Sequence, residues 1–209
     1  NGRINCIAFD PFDKEKIWIG SPGGGLWSSS DGGNTWSTNT DGLPVIGVSY
    51  IAINPLNSQE MYITTGDAHA SDTYSIGILK SNDGGQTWDT TGMQFGITDD
   101  KMVNKVIIHP TYTDSLFAVT DKNIKISPDG GQTWSNALTS SGSTMIGRFR
   151  DIEFKPNNPN ILYAVKQTTG SSEVYKSTDR GLSWSSAMNG ISLVNRNRPL
   201  LAVTPANPD

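Results

Sequence analysis

Short runs of β-branched and aromatic residues recur along the chain, separated by turns rich in glycine, proline, serine and aspartate. Five runs precede a residue-proline turn: Ile4–Phe9, Ser49–Ile53, Asn104–Ile108, Arg150–Phe154 and Pro199–Val203. A second run follows each of the first four turns: Ile17–Ile19, Met61–Thr64, Leu116–Val119 and Ile161–Val165. Runs of this composition and length are typical of β-strands. No stretch has the helical period, so the pattern predicts an all-β protein.

A repeated sequence element organises these runs. The pattern Ser-x-Asp-x-Gly-x-(Thr/Ser)-Trp begins at Ser29, Ser81, Ser127 and Ser177, a period of about fifty residues. Each period contains four short strands, and four-stranded antiparallel units of this length are blades of a β-propeller. The predicted blades are residues 1–43, 44–96, 97–142 and 143–191, and residues 192–209 begin a further blade. We therefore expect an arc of a larger propeller.

The four elements resemble the Asp-box, or BNR repeat, of sialidases, sortilin-type receptors and xyloglucanase-type glycoside hydrolases. This resemblance extends over essentially the whole chain and implies a structural role for the box. In such a turn the aspartate accepts hydrogen bonds from backbone amides, glycine adopts a positive φ, and tryptophan seals the gap between sheets. The residues assigned to this role are Asp31, Trp36, Asp83, Trp88, Asp129, Trp134, Asp179 and Trp184.

Composition and charge exclude several classes of protein. The net charge is −4, so the chain lacks the positive field that binds nucleic acid. Cys6 is the only cysteine, which excludes an internal disulfide framework and a cysteine-rich zinc site. No apolar run is long enough to span a membrane. Because the chain opens with Asn1-Gly2-Arg3, we expect it to be part of a longer protein that supplies the remaining blades.

The loop between the second and third strands of the second blade has the most distinctive chemistry. It places Asp67, His69 and Asp72 within six residues, beside Tyr74, on the face where propellers bind ligands. These residues form the predicted binding site. Three interpretations of the carboxylates are open: they cap turns of a polar loop, Asp67 and Asp72 bind calcium together with carbonyl oxygens, or one of them is catalytic. No other cofactor is expected.

Glycoside hydrolysis requires two carboxylates on either side of the scissile bond. Asp99 and Asp100 lie in the connection from the second to the third blade, on the same face as the loop above. The candidate catalytic residues are therefore Asp67, Asp72, Asp99 and Asp100. The glutamates Glu15, Glu60 and Glu153 are expected outside the cleft. Four arginines lie just before predicted first strands, where some can reach the axial face: Arg148, Arg150, Arg196 and Arg198.

Three segments resemble the propeller region of large secreted or surface proteins of Bacteroidetes-type bacteria, which are similar to type IX secretion cargo. They are 2–11, 18–28 and 72–81. The resemblance implies a secreted or cell-surface location. In the xyloglucanase-type hydrolases, an acidic residue of the first blade would fall near Ser21 or Pro22, where this chain has no carboxylate. We therefore predict a non-catalytic binding or adhesion scaffold for glycans or proteins; the alternative is a xyloglucanase-like glycoside hydrolase acting on a polysaccharide.

Overall fold

The computed structural model describes residues 2–68, 73–99, 101–194 and 198–206, which form strands and turns. The first sheet contains β1 (Cys6–Phe9), β2 (Ile17–Ser21), β3 (Gly25–Ser29) and β4 (Ser37–Thr38); the second contains β5 (Val48–Ile53), β6 (Met61–Thr65), β7 (Gly77–Ser81) and β8 (Asp89–Gln94). The third contains β9 (Val103–Ile108), β10 (Leu116–Thr120), β11 (Ile124–Ser127) and β12 (Ser135–Asn136). After β13 (Leu138–Thr139), the fourth contains β14 (Arg148–Lys155), β15 (Asn158–Thr168), β16 (Ser171–Ser177) and β17 (Ser183–Ser186).

Each sheet is a blade whose four strands follow one another in chain order and pair antiparallel. The first strands of successive blades, β1, β5, β9 and β14, lie next to one another and form the inner edge of the arc. The predicted all-β propeller fold of four-stranded blades is confirmed. Within the described ranges, no helix is long and apolar enough to cross a membrane.

Three apolar interfaces between blades hold the arc together. We call the face that a blade turns to the preceding blade its leading face, and the opposite one its trailing face. At the first interface, Trp18 and Leu26 of the first blade pack against Ile51, Met61 and Ile63 of the second. The other two interfaces have the same construction. Burial of these side chains supplies the main stabilising free energy of the arc, because apolar surface is removed from water at each contact.

A short fifth strand in the fourth sheet departs from the predicted pattern. Strand β13 pairs in parallel with β17, so Leu138 lies opposite Ser183 and Thr139 opposite Trp184. The segment follows the third blade in sequence but joins the sheet of the fourth. It therefore connects two blades through backbone hydrogen bonds as well as through side-chain packing.

The prediction of a strand at Pro199–Val203 is wrong, because this segment has no strand pairing. Its backbone lies against the fourth blade, where the Leu201 amide donates a hydrogen bond of 2.8 Å to Asp151 Oδ2. The inner strand of a blade pairs with the second strand of its own blade. Within the described residues, Pro199–Val203 has no such partner, so strand-forming composition alone does not produce a strand here.

Candidate functional site

The four Ser-x-Asp turns share one network of hydrogen bonds. In the first turn, Ser29 Oγ and the Thr35 amide donate to Asp31 Oδ1 at 2.8 Å each, and Thr35 Oγ1 donates to Asp31 Oδ2 at 2.6 Å. The Gly33 amide donates to Ser29 Oγ at 2.9 Å. The corresponding bonds centre on Asp83, Asp129 and Asp179 in the other turns. Because these carboxylates are engaged within their own turns, the bonds favour a structural role.

The same hydrogen bonds change the acidity of the turn aspartates. The side-chain hydroxyl of the following threonine, and next its amide, lower the pKa of Asp31, Asp83 and Asp129 to about 2. An unperturbed aspartate has a pKa of about 3.9. The ionised form is therefore favoured in the folded chain, and its stabilising contribution is present above the unfolded pKa.

We expect the melting temperature to fall as the pH drops from about 4 toward 2, as the lowered pKa of these aspartates requires. Asp83→Asn should melt at a lower temperature than the wild type at pH 7, with the difference shrinking toward pH 2. Differential scanning calorimetry across this range measures both effects. Asp89→Asn, at an exposed position of β8, is the control and should follow the wild-type curve. A constant difference between Asp83→Asn and the wild type at all pH values would contradict this origin of stability.

The turns also connect neighbouring blades. Asn39 Nδ2, which follows the last strand of the first blade, donates to the carbonyls of Gly85 and Gln86 in the second turn, at 2.7 and 2.9 Å. In the other three turns the tryptophan Nε1 donates to the glycine carbonyl, whereas Trp88 Nε1 is buried without a partner. The Gly85 carbonyl is thus used for the contact between blades.

A second feature is a cavity of about 290 Å³ at the inner edge of the arc. All four inner strands or their preceding residues contribute to it, together with the segment 198–201. Its polar and aromatic lining residues are Asn5, Ser49, Tyr50, Asn104, Lys105, Arg150, Asp151, Glu153 and Arg198. We call this cavity the axial pocket. Several charged groups therefore lie together on a surface that the propeller fold leaves open.

Lys105 is the central cation of the axial pocket. Its Nζ lies 2.7 Å from Asp151 Oδ1 and 2.6 Å from Glu153 Oε1, and 5.0 Å from the centre of the Tyr50 ring. The lysine and Asp151 side chains are almost completely buried. Burial alone lowers the pKa of Lys105, but Tyr50, Asp151 and Glu153 together raise it above its ordinary value. The ammonium group is therefore charged at neutral pH.

Arg150 joins the pocket to the loop of the second blade. Its Nε donates to Gln167 Oε1 at 2.6 Å, and one terminal nitrogen donates to the Ala68 carbonyl at 2.8 Å. Burial, followed by the charges of Arg148 and Arg198, lowers the pKa of Arg150 to about 10. Arginines from the fourth blade and the segment after it therefore meet at this side of the pocket.

The arrangement of the blades agrees with comparisons to known proteins. The family described as Sortilin-Vps10 (sortilin, neurotensin receptor 3) matches residues 76–200. The chain belongs to the Sortilin-Vps10 family. An oligoxyloglucan-reducing end-specific xyloglucanase of Emericella nidulans is 25% identical over 147 residues. The matched part covers 67% of this chain and 18% of that enzyme, so the chain spans less than a fifth of this relative.

Two solved structures are similar in fold to this Sortilin-Vps10 chain. An ancestral GH74 enzyme matches with a TM-score of 0.72 and 19% identity, over 93% of this chain and 26% of its own. YCF48 bound to a D1 peptide matches with a TM-score of 0.60 and 18% identity, over 88% of this chain and 53% of its own. At these identities the likeness shows the propeller fold.

Of the predicted site residues of the Sortilin-Vps10 chain that are described, Asp67 lies next to a residue of the axial pocket. Asp67 is completely buried; its carboxylate pairs with the Arg3 guanidinium and accepts a hydrogen bond of 3.4 Å from Asn5 Nδ2. The adjacent Ala68 lines the pocket. Tyr74 is 64% exposed, so its ring is accessible to a ligand. The predicted residues His69, Asp72 and Asp100 lie outside the described residues.

Asp99 has a different environment from Asp67. Its carboxylate accepts a hydrogen bond from Lys101 Nζ at 2.9 Å and one from the Gly96 amide at 3.2 Å. The bond from Lys101 is the main cause of a lowered pKa at Asp99. Its partners are thus local to the connection between the second and third blades. A catalytic pairing of Asp67 with Asp99 stays a prediction.

The charged residues of the inner strands are functional candidates that the sequence motifs do not indicate. Glu153 was expected outside the cleft, and this is wrong, because it lines the axial pocket. The reason is that β14 is an inner strand, whose side chains reach the axis. Lys105 and Asp151 were also overlooked. Each is a charged residue inside a strand rich in apolar residues, and such a residue is buried at a cost unless it is paired. A charged residue within an otherwise apolar strand is therefore the sequence feature that could have identified Lys105 and Asp151.

The calcium prediction is not supported by a cluster of ligands in the described ranges. No group of three or more histidine, cysteine, aspartate or glutamate side chains with the geometry of a metal site occurs there. The Asp67 carboxylate already forms an ion pair with the Arg3 guanidinium. Because Asp72 lies outside the described residues, calcium binding by this pair stays a prediction.

Proposed function

We propose that this chain forms part of the propeller of a glycoside hydrolase of the xyloglucanase-like type, in which the axial pocket binds the polysaccharide. The observation that carries the proposal is the convergence of polar side chains from all four blades on one cavity. Tyr50 contributes an aromatic ring, and Asn5 and Asn104 contribute amide groups whose nitrogens donate to Asp67 and to the Phe149 carbonyl. Rings and amides of this kind suit the apolar faces and hydroxyl groups of sugars. The likeness to a xyloglucanase supports a carbohydrate ligand.

The carboxylates of the pocket are assigned different roles. Asp151 and Glu153 share the Lys105 ammonium group, so we assign them to the pocket's architecture and to accepting hydrogen bonds from sugar hydroxyls. Hydrolysis needs a general acid and a second carboxylate that acts as base or nucleophile. The candidates for this pair are Asp67, Asp72, Asp99 and Asp100.

A non-catalytic scaffold that binds glycans or proteins is the second candidate function. It is favoured by the ion pairing of the carboxylates. Asp67 pairs with Arg3, and both Asp151 and Glu153 pair with Lys105. The peptide-bound structure of YCF48, a neighbour in fold, supports a protein ligand. In both proposals the repeat turns are Asp-boxes and the protein is secreted or on the cell surface of a bacterium, as type IX cargo. Further blades of a longer chain would complete the ring, and we propose no resident cofactor.

The two functions are distinguished by activity on defined glycans. The full-length protein is incubated with xyloglucan, β-glucan and sialosides, and released reducing ends or sialic acid are measured. For a hydrolase we expect turnover of xyloglucan, reduced about 10²–10⁴-fold by Asp67→Asn if Asp67 belongs to the acid–base pair. Asp89→Asn should keep full activity.

Measurements of ligand binding and of thermal stability accompany the activity assay. Calorimetric titration with xyloglucan oligosaccharides, and thermal melting of each variant, separate loss of catalysis from loss of the fold. Absence of turnover on every substrate would refute the hydrolase. Binding without turnover, weakened by Asn104→Ala in the axial pocket, would establish the scaffold.

A further inference from the structure

A larger cavity lies between the third and fourth blades, on the face of the repeat turns and away from the axial pocket. Its volume is about 670 Å³. The lining residues that matter here are His109, Phe117, Ile126, Pro128, Arg180 and Leu182. The cavity combines these apolar side chains with the Arg180 cation at its edge, a combination that the proposed function does not use. The Asp179 carboxylate also lines the cavity, but it accepts hydrogen bonds from Ser177 Oγ and Ser183 Oγ within its own turn.

The preceding interface, between the second and third blades, is filled differently at this position. Between the second and third blades, Glu60 accepts hydrogen bonds from Lys80 Nζ at 2.8 Å and from Tyr62 Oη at 2.7 Å. Tyr62 Oη also lies 3.1 Å from the Gly130 carbonyl oxygen, so its single hydroxyl hydrogen is shared between Glu60 and this carbonyl. Gly130 belongs to the turn of the third blade. A polar network therefore fills the space between the blades and connects the second blade to this turn.

The equivalent positions between the third and fourth blades carry different residues. Tyr62 pairs with Lys80 across its sheet, and Phe117 pairs with Ile126 in the same register. Ser115 occupies the position that Glu60 has in the second blade. In both blades the carbonyl of this residue accepts a hydrogen bond from the amide of the residue before the turn proline. The three polar partners are thus replaced by a serine and two apolar residues. The network cannot form, and an apolar cavity remains.

The fourth repeat turn differs from the others at the two positions that face this cavity. Arg180 stands where the other turns have a glycine, and it keeps the left-handed backbone with φ of 58°. Leu182 stands where the others have asparagine or glutamine, and it is 62% exposed. A non-glycine residue at positive φ is strained. The turn thus places a cation and an exposed apolar side chain together, at a cost in backbone strain.

The cationic edge has unused capacity to bind an anion. The Arg180 guanidinium lies over the Tyr112 ring, 5.6 Å from its centre, and it takes part in none of the ion pairs found among the described residues. His109 Nδ1 accepts hydrogen bonds from the amides of Thr111 and Tyr112, at 3.2 and 3.1 Å. Burial, and next the charge of Arg180, lower the pKa of His109. The neutral ring therefore carries its hydrogen on Nε2, which is buried without an acceptor.

We propose that this cavity binds a small amphipathic carboxylate, with its apolar part against Phe117, Ile126 and Leu182 and its carboxylate on Arg180. Charge complementarity selects the anion, because the guanidinium is a forked donor that matches a carboxylate. Apolar contact in the cavity supplies the remaining affinity.

The test uses 4-phenylbutyrate as the probe and 4-phenylbutanol as its neutral counterpart. Titration is followed by two-dimensional NMR of the 209-residue chain. We expect saturable shifts confined to residues 109–128 and 178–182. Arg180→Gly should weaken binding of 4-phenylbutyrate about tenfold, as expected for loss of a charge-assisted hydrogen bond, and leave binding of the alcohol unchanged. Leu182→Gln should weaken both.

The variants are chosen to preserve folding. Arg180→Gly and Leu182→Gln restore the residue types of the second and third turns, so neither should lower the melting temperature. Lys14→Gln, at a side chain that is 91% exposed on the first blade, controls for the loss of one positive charge. Absence of saturable shifts, shifts confined to the axial pocket, or an unchanged affinity in Arg180→Gly would each overturn the proposal.

Discussion

Replacing Trp184 with alanine is expected to lower the free energy of unfolding by about 3–5 kcal/mol. The side chain is 1% exposed and packs in the apolar interface between the third and fourth blades. Its Nε1 also donates a hydrogen bond of 2.8 Å to the Gly181 carbonyl. Truncation leaves a large cavity between two sheets and removes that bond. Urea denaturation followed by circular dichroism measures the loss.

The repeat offers a matched control for this prediction. Trp36 occupies the same position in the first turn and makes the same bond, with Nε1 3.0 Å from the Gly33 carbonyl. Its blade, however, has no neighbour on its leading face among the described residues, where Ile7 and Phe9 are 58% and 56% exposed. Trp36→Ala should therefore cost much less than Trp184→Ala. Equal losses would show that the turn, and not packing between blades, is the source of the stability.

Replacing Lys105 with methionine is expected to cost about 3–5 kcal/mol, the usual penalty for removing one partner of a buried ion pair. The variant keeps the length and apolar stem of the side chain but leaves the carboxylates of Asp151 and Glu153 without their shared cation. Two like charges then lie close together in a partly buried pocket. Chemical denaturation at pH 7 measures the change in stability.

A compensating variant tests the origin of that loss. Lys105→Met combined with Asp151→Asn and Glu153→Gln removes the unpaired charges and should recover much of the lost stability. Lys101→Met, which removes the partner of the exposed Asp99, should have little effect because exposed ion pairs contribute little. If the triple variant were as unstable as Lys105→Met, loss of lysine packing would be the cause instead.

Local chemistry explains why the repeat turns can be understood from the sequence. In each turn, a serine, an aspartate and a threonine or serine within seven residues bond to one another and to nearby amides. All partners lie at short, fixed separations along the chain. The short runs of β-branched and aromatic residues likewise identify strands whose pairing is between neighbours in sequence. The blade, its strand order and the propeller class therefore follow from the amino-acid sequence.

The axial pocket depends on contacts that are distant in the chain. Lys105 meets Asp151 from another blade, and Arg3 meets Asp67 across the first and second blades. No spacing in the sequence specifies such pairs, because they arise when inner strands are brought side by side by packing of whole sheets. The strand predicted at Pro199–Val203 fails for a related reason, since a strand requires a partner at its edge.

The amino-acid sequence by itself determined the all-β class, the four-stranded repeat and the turns that join its outer strands. These features rest on hydrogen bonds and on runs of β-branched and aromatic residues within about fifty residues. Only the tertiary structure decided which charged side chains reach the axis, that β13 joins the sheet of the next blade, and that Phe117 and Ile126 leave a cavity beside Arg180. The physical reason is that burial and pairing energies depend on neighbours in space, and in a propeller those neighbours come from different repeats.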